Sequence, residues 1–525
     1  METMEQQNKL EKPLFETMEQ KIKPENPVLQ HNTLFFLVTA LLYSVCFTIA
    51  FYKNYVGLTF PLITIITLVV CGLFLKKSGI VWKTENLYYM VPIVLLGIST
   101  MLTTNQFTIF FNTVGILLLI TVFMIQQTYA ENKWNLGQYI CNMLFLYICM
   151  IPEIAAPFSN LGKYIRRKKV IEQKNTNTKY IVTGILIGVP MLAFVLALLS
   201  SADAIFSKYI GAGFRWMWKN IFFSPNIVLV VALLIIGFFG SYTFLSALTL
   251  NNMPEWTKEK PKKNPVIAVT FISMITVVYM IFSVIQIVFL FSGGMILPDG
   301  YTYAEYAHQG FFQLLFLCIF NLILVLCCMA VFEMNRWLKM ILLIFSACTY
   351  VMIASSAYRM ILYISNYHLT FLRILVLWFL ALLVVLMAGV IRNIQKKEFP
   401  LFRYGMVVVT VFYLVLSFSH FDYWIAKYNI SRIGSEIAYE DVFYLCNLSL
   451  DAVPALKGLE PEHQHEEEYR GLEENSGSDE YYWECPACKL ENYLEQIEEN
   501  TDLNIRTFNL SKYQAAKAAE EYLGK

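Results

Sequence analysis

Apolar residues run in blocks of about twenty from Thr33 onward, the length a helix needs to cross roughly 30 Å of hydrocarbon. The blocks predict spans at Thr33–Phe51, Val56–Leu75, Tyr88–Thr104, Phe107–Gln127, Tyr180–Ser200 and Phe222–Leu250. Further spans are predicted at Pro265–Phe291, Phe311–Phe332, Leu338–Tyr358, Arg373–Ile391 and Tyr404–Ser419. Each must be helical, because lipid offers backbone N–H and C=O groups no partner outside the segment. The expected fold is thus an all-α polytopic membrane protein with about eleven transmembrane helices and a small helical C-terminal extramembrane domain. Residues 1–32 read as a polar N-terminal tail before a retained span, too long and acidic for a cleaved signal. Residues 33–135 form a first block of four helices and 180–420 a second of seven, with the soluble domain at 421–525.

Between the blocks, 136–179 is harder to place. Leu136 to Phe158 is apolar enough to span but carries Gln138, Asn142, Pro152, Glu153 and Pro157. Basic residues arbitrate, since they favour the cytoplasmic side. If this run lies in the interface or re-enters, Lys76, Lys77, Lys83, the cluster Lys163–Lys169, Lys258–Lys263, Arg336, Lys339, Arg392 and Lys396 share the inner side with the N-terminal tail. The outer loops then hold only Lys53, Lys208, Arg215, Lys219, Arg359 and Arg373. The expected location is therefore a plasma membrane, multi-pass, with the N-terminus cytoplasmic and the C-terminal domain extracytoplasmic.

Composition agrees with the pattern. The chain is 57% hydrophobic and 15% charged, with a mean hydropathy of +0.52; a soluble domain carries about 25% charge. The net charge of +1 gives no general attraction to nucleic acid, so the expected partner is the lipid bilayer. Of eleven cysteines, most lie inside apolar runs, where cysteine packs as a small hydrophobe; Cys446, Cys485 and Cys488 fall in the soluble part.

Within the C-terminal region, Val442, Leu445 and Leu448 recur at helical spacing, and Ser511 is a plausible N-cap for an Ala-rich helix that Gly524 closes. About 100 residues bury only a thin core, so this domain is expected to dock on the outer membrane face.

Four segments carry a likeness: Leu198-Leu-Ser-Ser-Ala-Asp203; Tyr303-Ala-Glu-Tyr-Ala-His-Gln-Gly310; Ser356-Ala-Tyr-Arg359 with Tyr363; and Ala426-Lys-Tyr-Asn429 leading into Leu448-Ser-Leu-Asp-Ala-Val-Pro-Ala-Leu456. With the ending Arg506-Thr-Phe-Asn-Leu-Ser-Lys512, they resemble the polytopic bacterial membrane proteins of domain-of-unknown-function family 4173, from about Tyr180 onward. The resemblance implies a multi-span protein and no particular activity.

Ionisable residues at or in spans are costly and are candidate functional groups. Asp203, Glu305, His308, Arg359, Arg373 and Asp422 fall near one surface in the expected topology, with Arg359 ending one span and Arg373 opening the next. Around an outer vestibule they would suit an ion, a small solute or a lipid headgroup, arginine taking phosphate or carboxylate through its fork. The competing reading makes them interface anchors and helix locks. Asn112, Gln286, Gln313 and Asn321 lie deeper and read as interhelical hydrogen-bond glue. Pro92 and Pro190, with Gly184 and Gly188, are candidate helix breaks.

Cys485-Pro-Ala-Cys488 leaves three readings open: a plain disulfide or idle thiols, a redox pair, or zinc ligands together with His463 and His465. That zinc apart, no cofactor is expected. The sequence shows no phosphate-binding P-loop, dinucleotide fingerprint, H-E-x-x-H or nucleophile elbow, which argues against an ATPase, a zinc protease or a serine hydrolase. Transport or binding at the vestibule leads the functional readings. An anchor presenting the external domain and an integral membrane enzyme acting on a lipid-linked substrate are the alternatives.

Overall fold

The structure, a computed structural model, describes residues 27–129, 134, 136–171, 192, 206, 208, 225–249, 262–291, 303–396, 398–433, 439–461, 486–500 and 504–524. The membrane part comprises α1 (Pro27–His31), α2 (Thr33–Phe51), α3 (Thr59–Lys77), α4 (Met90–Leu102, entered through the 3-10 turn Thr84–Tyr89), α5 (Gln106–Thr128), α6 (Leu136–Met150) and α7 (Ala156–Ile171). It continues with α8 (Pro225–Thr249), α9 (Pro265–Phe291), α10 (Tyr303–Val331), α11 (Arg336–Asn366), α12 (Phe371–Gln395) and α13 (Leu401–Phe418). The soluble part holds α14 (Phe421–Ile430), α15 (Tyr439–Cys446), α16 (Val453–Leu456), α17 (Pro486–Asn500) and α18 (Leu510–Leu523).

Eleven helical segments among the described residues are long and apolar enough to cross a membrane, and the chain is an all-α polytopic membrane protein. Their outer faces leave Ile281 61%, Phe316 68% and Val415 65% exposed, a pattern that only lipid satisfies over so many helices. Each predicted span has its helix except Tyr180–Ser200, which lies outside the described residues apart from helical Leu192. The remaining candidate, 137–167, falls on the ambiguous run.

Two cores organise the bundle. Phe36, Phe74, Leu96 and Phe123 of α2–α5 pack with Tyr242 and Leu248 of α8 and Phe402 of α13. Ile272, Leu314, Phe345 and Leu380 of α9–α12 form the second. Helix α8 lies close along α2: a Cβ on Gly237 would stand 2.9 Å from Ser44 Cα, so only glycine permits that approach.

The bundle has two unlike ends. At one, which we term the basic end, Lys83 Nζ donates to Gln126 O (2.6 Å) and Tyr129 O (2.8 Å), and Tyr129 Oη donates to Leu248 O (2.7 Å). Lys263 N donates to Val331 O there, joining the start of α9 to the end of α10. The opposite end is covered by the soluble domain, and we term it the capped end.

The segment α6–α7 is long enough to span, yet three side-chain contacts along it lie toward the basic end. Tyr139 stacks on Phe402 in the first turn of α13 (3.8 Å between centroids), and Glu153 accepts from Ser246 in the last turn of α8 (2.7 Å). Asn160 donates to Tyr242, one turn further in (3.0 Å). Tyr139 and Asn160 are 21 residues apart, about 30 Å of continuous helix. Both nevertheless meet residues within two turns of the same end.

In the soluble domain, Val442, Leu445, Leu490, Leu494, Ala515 and Ala519 form a core of their own. Helix α18 is N-capped by Asn509 rather than Ser511. Asn509 has extended φ/ψ and its Oδ1 accepts from Lys512 N (3.1 Å), while the Ser511 hydroxyl turns away to Leu102 O (2.8 Å). Gly524 closes the helix as expected.

Candidate functional site

The apolar run of α11 does not stop at Tyr358. Met360, Ile361, Leu362 and Ile364 continue it, so the helix extends to Asn366 and Arg359 lies two turns inside it rather than at its end. Arg373 occupies the first turn of α12. The two arginines line one cavity of about 170 Å³ near the capped end, together with Phe311 and Phe312 of α10, Met360 and Tyr363 of α11, and Thr370 and Leu372 beside Arg373.

The guanidinium of Arg373 stacks on the Tyr363 ring, 4.1 Å from its centroid, which holds its plane. Its Nη1 is buried and has no hydrogen-bond partner. Arg359 Nη2 reaches Gln286 Oε1 (3.5 Å), which also accepts from Ser355 (2.6 Å). No carboxylate lines the cavity among the described residues. Its described lining is therefore positively charged, aromatic-walled and equipped with a donor that no described residue satisfies.

A second polar constellation seals the domain to the bundle. Asp451, 6% exposed, accepts from Thr103 Oγ1 (2.5 Å), Thr104 N (2.8 Å) and Thr104 Oγ1 (3.0 Å), and His420 Nδ1 lies 3.3 Å away. Asp422, 3% exposed, accepts from Asn105 Nδ2 (2.8 Å) and from the Ser449 hydroxyl and N–H. Burial pushes the Asp422 carboxyl above its ordinary range; the Ser449 and Asn105 hydrogen bonds oppose this and the charge of Asp451 adds to it. Burial works the same way on Asp451, but there His420, Thr103, the Thr104 N–H and Ser511 outweigh it and hold the carboxyl low. Tyr444, between the two sites, feels both the Asp422 and the Arg373 charge.

Around these acids the domain is tied to three bundle loops. Arg506 Nη1 donates to Tyr52 O (2.6 Å), and Asn509 Nδ2 donates to Val56 O and Thr103 O (3.0 Å each). Asn429 exchanges two hydrogen bonds with the backbone of Leu369 (2.8 and 2.9 Å).

Of the residues singled out from sequence, Arg359 and Arg373 come together. Glu305 and His308 lie in the first turns of α10, just before Phe311, but their side chains are outside the described residues, as is Asp203. Asp422 does not line the cavity; it belongs to the seam. Asn112, with no exposed surface, links α4, α5 and α13, accepting from Tyr413 (2.8 Å) and Ser417 (2.7 Å) and donating to Thr100 (3.0 Å). Asn321 likewise bridges Tyr279 and Thr349, whereas Gln313 is exposed. Pro92 sits in the first turn of α4 and breaks nothing; Pro190, Gly184 and Gly188 lie outside the described residues. Cys488 is disulfide-bonded, so its sulfur is no thiolate ligand in this state; Cys485, His463 and His465 lie outside the described residues. The Cys446 thiol is pushed up to about 11 by burial, with Lys489 opposing, and behaves as a core residue.

Sequence reading missed Asp451, His420 and the Thr103–Asn105 loop. Asp451 stood inside the quoted segment Leu448–Leu456, and its only local signal was an acid among apolar neighbours.

Fold and site together define a multi-pass, all-helical membrane protein with a soluble domain docked across one end of its bundle. The chain belongs to the family described as Domain of unknown function (DUF4153), whose model matches residues 90–459. The match runs from the start of α4 past α16, so it holds both arginines and both buried acids but neither α17 nor α18. It is this family, rather than family 4173, that matches, and it begins well before Tyr180; the coarser expectation of a polytopic family without an assigned activity holds. No curated protein and no solved structure matches the chain significantly.

Proposed function

We propose that this protein binds, and carries across or presents at the membrane, a small ligand taken up at an outward-facing vestibule formed by α10, α11 and α12. The observation that carries the reading is the cavity itself: about 170 Å³, with two arginines converging at the end of three spans and one buried donor unsatisfied. Intramembrane arginines usually pair with acids or backbone; a buried guanidinium N–H left without an acceptor beside a cavity is matched to something that enters. The proposed orientation puts the capped end outside the plasma membrane and the basic end in the cytoplasm, following the lysine and arginine distribution. In keeping with that orientation, α6–α7 lies at the cytoplasmic interface with the cluster from Lys163 to Lys169. No enzymatic step is proposed, since no nucleophile–base pair is recognised among the described residues.

The anchor alternative draws support from the separate core of the soluble domain. Its docking through Arg506, Asn429 and Asp451 into three loops makes the domain a fixed cap and weakens that alternative.

The test is labelling of Thr370→Cys and Lys77→Cys variants in intact cells with a membrane-impermeant thiol reagent, the modified site being read by peptide mass spectrometry. Modification at 370 in intact cells, and at 77 only after lysis, is the expected result. The reverse pattern would overturn the outward-facing vestibule.

A further inference from the structure

We propose that the ligand of this cavity is a phosphate group carried on an apolar body, as in an anionic phospholipid or a lipid-linked phosphate. The inference rests on reading the cavity as the vestibule and names the class of molecule that enters it.

Three features of the walls select the head of the ligand. Stacking on Tyr363 fixes the Arg373 guanidinium, so its N–H groups are presented in a fixed plane at no further entropic cost. Nη1 is buried and unpartnered, and a cationic donor in that state favours an oxyanion over any neutral or cationic guest. Arg359 stands on a different helix, with Gln286 steadying it. Donors arriving from α11 and α12 suit a tetrahedral phosphate, which offers oxygens in several directions. A carboxylate offers two in one plane and is filled by a single guanidinium fork. Thr370 adds a hydroxyl at the rim, and no described acid competes.

The remaining features select the body. A cavity of about 170 Å³ is well below the roughly 300 Å³ at which pockets enclose drug-sized ligands, so it accommodates a headgroup and not a whole organic solute. Its rim is greasy: Phe312 is 43% and Leu372 53% exposed, and Ile361 beside Met360 is 55% exposed. These side chains belong to the terminal turns of three spans at their capped ends, the depth at which headgroup phosphates meet acyl chains. A molecule with its phosphate on the arginines would lay its chains along α10 and α12.

The experiment uses the full chain, purified and placed in phosphatidylcholine nanodiscs. Three probes are added separately: dioleoyl phosphatidic acid, palmitate and inorganic phosphate. Thermal stabilisation and lipid retained in native mass spectrometry are read for the wild type, Arg373→Gln, Arg373→Lys and, as a basic control outside the cavity, Arg432→Gln. Phosphatidic acid is expected to raise the Tm and co-purify with wild type and Arg432→Gln. Its affinity should fall at least tenfold in Arg373→Gln and measurably in Arg373→Lys, which keeps the charge but loses the fork. Without ligand, Arg373→Gln loses its stacking on Tyr363, so the site is read from the ligand-dependent rise in Tm of each variant over its own ligand-free baseline. Palmitate binding as tightly as phosphatidic acid would overturn the phosphate assignment. Inorganic phosphate binding alone would overturn the amphiphile assignment, and unchanged phosphatidic acid retention in Arg373→Gln would overturn the site. None of these readouts depends on which membrane face the cavity opens to, so failure here is separable from failure of the labelling test.

Discussion

Two buried carboxylates of one seam behave oppositely, and the cause is the set of donors each receives. Asp451 has a hydroxyl, a backbone N–H, a second hydroxyl and a histidine directed at it; Asp422 has Asn105 and the Ser449 hydroxyl and N–H against its burial and the charge of Asp451. With its folded pKa lowered, Asp451 contributes docking stability above the ordinary carboxylate range, lost as pH falls through the lowered value. Asp422, with its folded pKa raised, contributes below the ordinary range, and that contribution is lost as pH rises through the raised value. Asp451→Asn should therefore weaken docking at neutral pH by about 1–3 kcal/mol, through donors left unpaired. Asp422→Asn should dock at least as well as wild type, since the amide oxygen still accepts from Ser449 without the charge. Limited proteolysis between α14 and α16, run from about pH 4 to about pH 8 across the carboxylate range, reads both effects. Equal sensitivity of the two variants at neutral pH would sink the account. His420 adds to the picture: its φ of 45° is left-handed backbone, tolerated where the turn from α13 to α14 must bring its ring to Asp451.

Single helices were largely legible because the membrane imposes a length and an apolar composition on each. What the sequence could not show was where a polar helix end begins. Arg359 looked like a span terminus, yet the apolar Met360–Ile364 carried α11 on for two turns and moved the arginine into the cavity wall. Ser511 looked like a cap, but Asn509 sits where the backbone is extended and outcompetes it. Contacts between helices carry their own predictions. A Cβ on Gly389 would lie 2.1 Å from the Tyr404 ring, whose hydroxyl is already bound to Val385 O on the same helix. Gly389→Ala should force α12 and α13 apart and lower stability by about 1–3 kcal/mol in chemical unfolding, and the added mutation Tyr404→Leu should recover much of it. At Asn112 the expected loss is of a different kind. Asn112→Leu strips Tyr413, Ser417 and Thr100 of a shared partner across three helices, costing about 0.6–2 kcal/mol, the range of interhelical hydrogen bonds in membranes. A melting temperature unchanged from wild type would mean that water or neighbouring carbonyls replace those bonds.

At the scale of the molecule, three of the segments that carried the family-like pattern converge on two places. Ser356–Tyr363 supplies the cavity, while Asn429, Ser449, Asp451, Arg506 and Asn509 make the seam. That convergence was not legible in the chain, because Asn54 and Arg506, or Thr103 and Asp451, are hundreds of residues apart and no periodicity links them. It also bears on what the soluble domain is for. The domain has its own core, and it is linked to the bundle both by hydrogen bonds to loops and by an apolar seam in which Phe421 and Ile425 pack with Leu416, Phe371 and Ile374. Cutting the hydrogen bonds at the α18 side should thus loosen the cap there without unfolding either part, while the apolar contacts of Phe421 and Ile425 hold the other side. The double variant Arg506→Ala with Asn509→Ala removes the contacts to Tyr52, Val56 and Thr103, and it also removes the N-cap of α18, worth about 1 kcal/mol alone. Hydrogen exchange should then accelerate in the loops 52–58 and 102–105 and in the first turn of α18, while α4, α5 and the α10–α12 cavity keep their protection. Protection lost throughout the bundle would show that the cap is part of a single cooperative unit. Local loosening would show instead a lid that can lift beside the cavity.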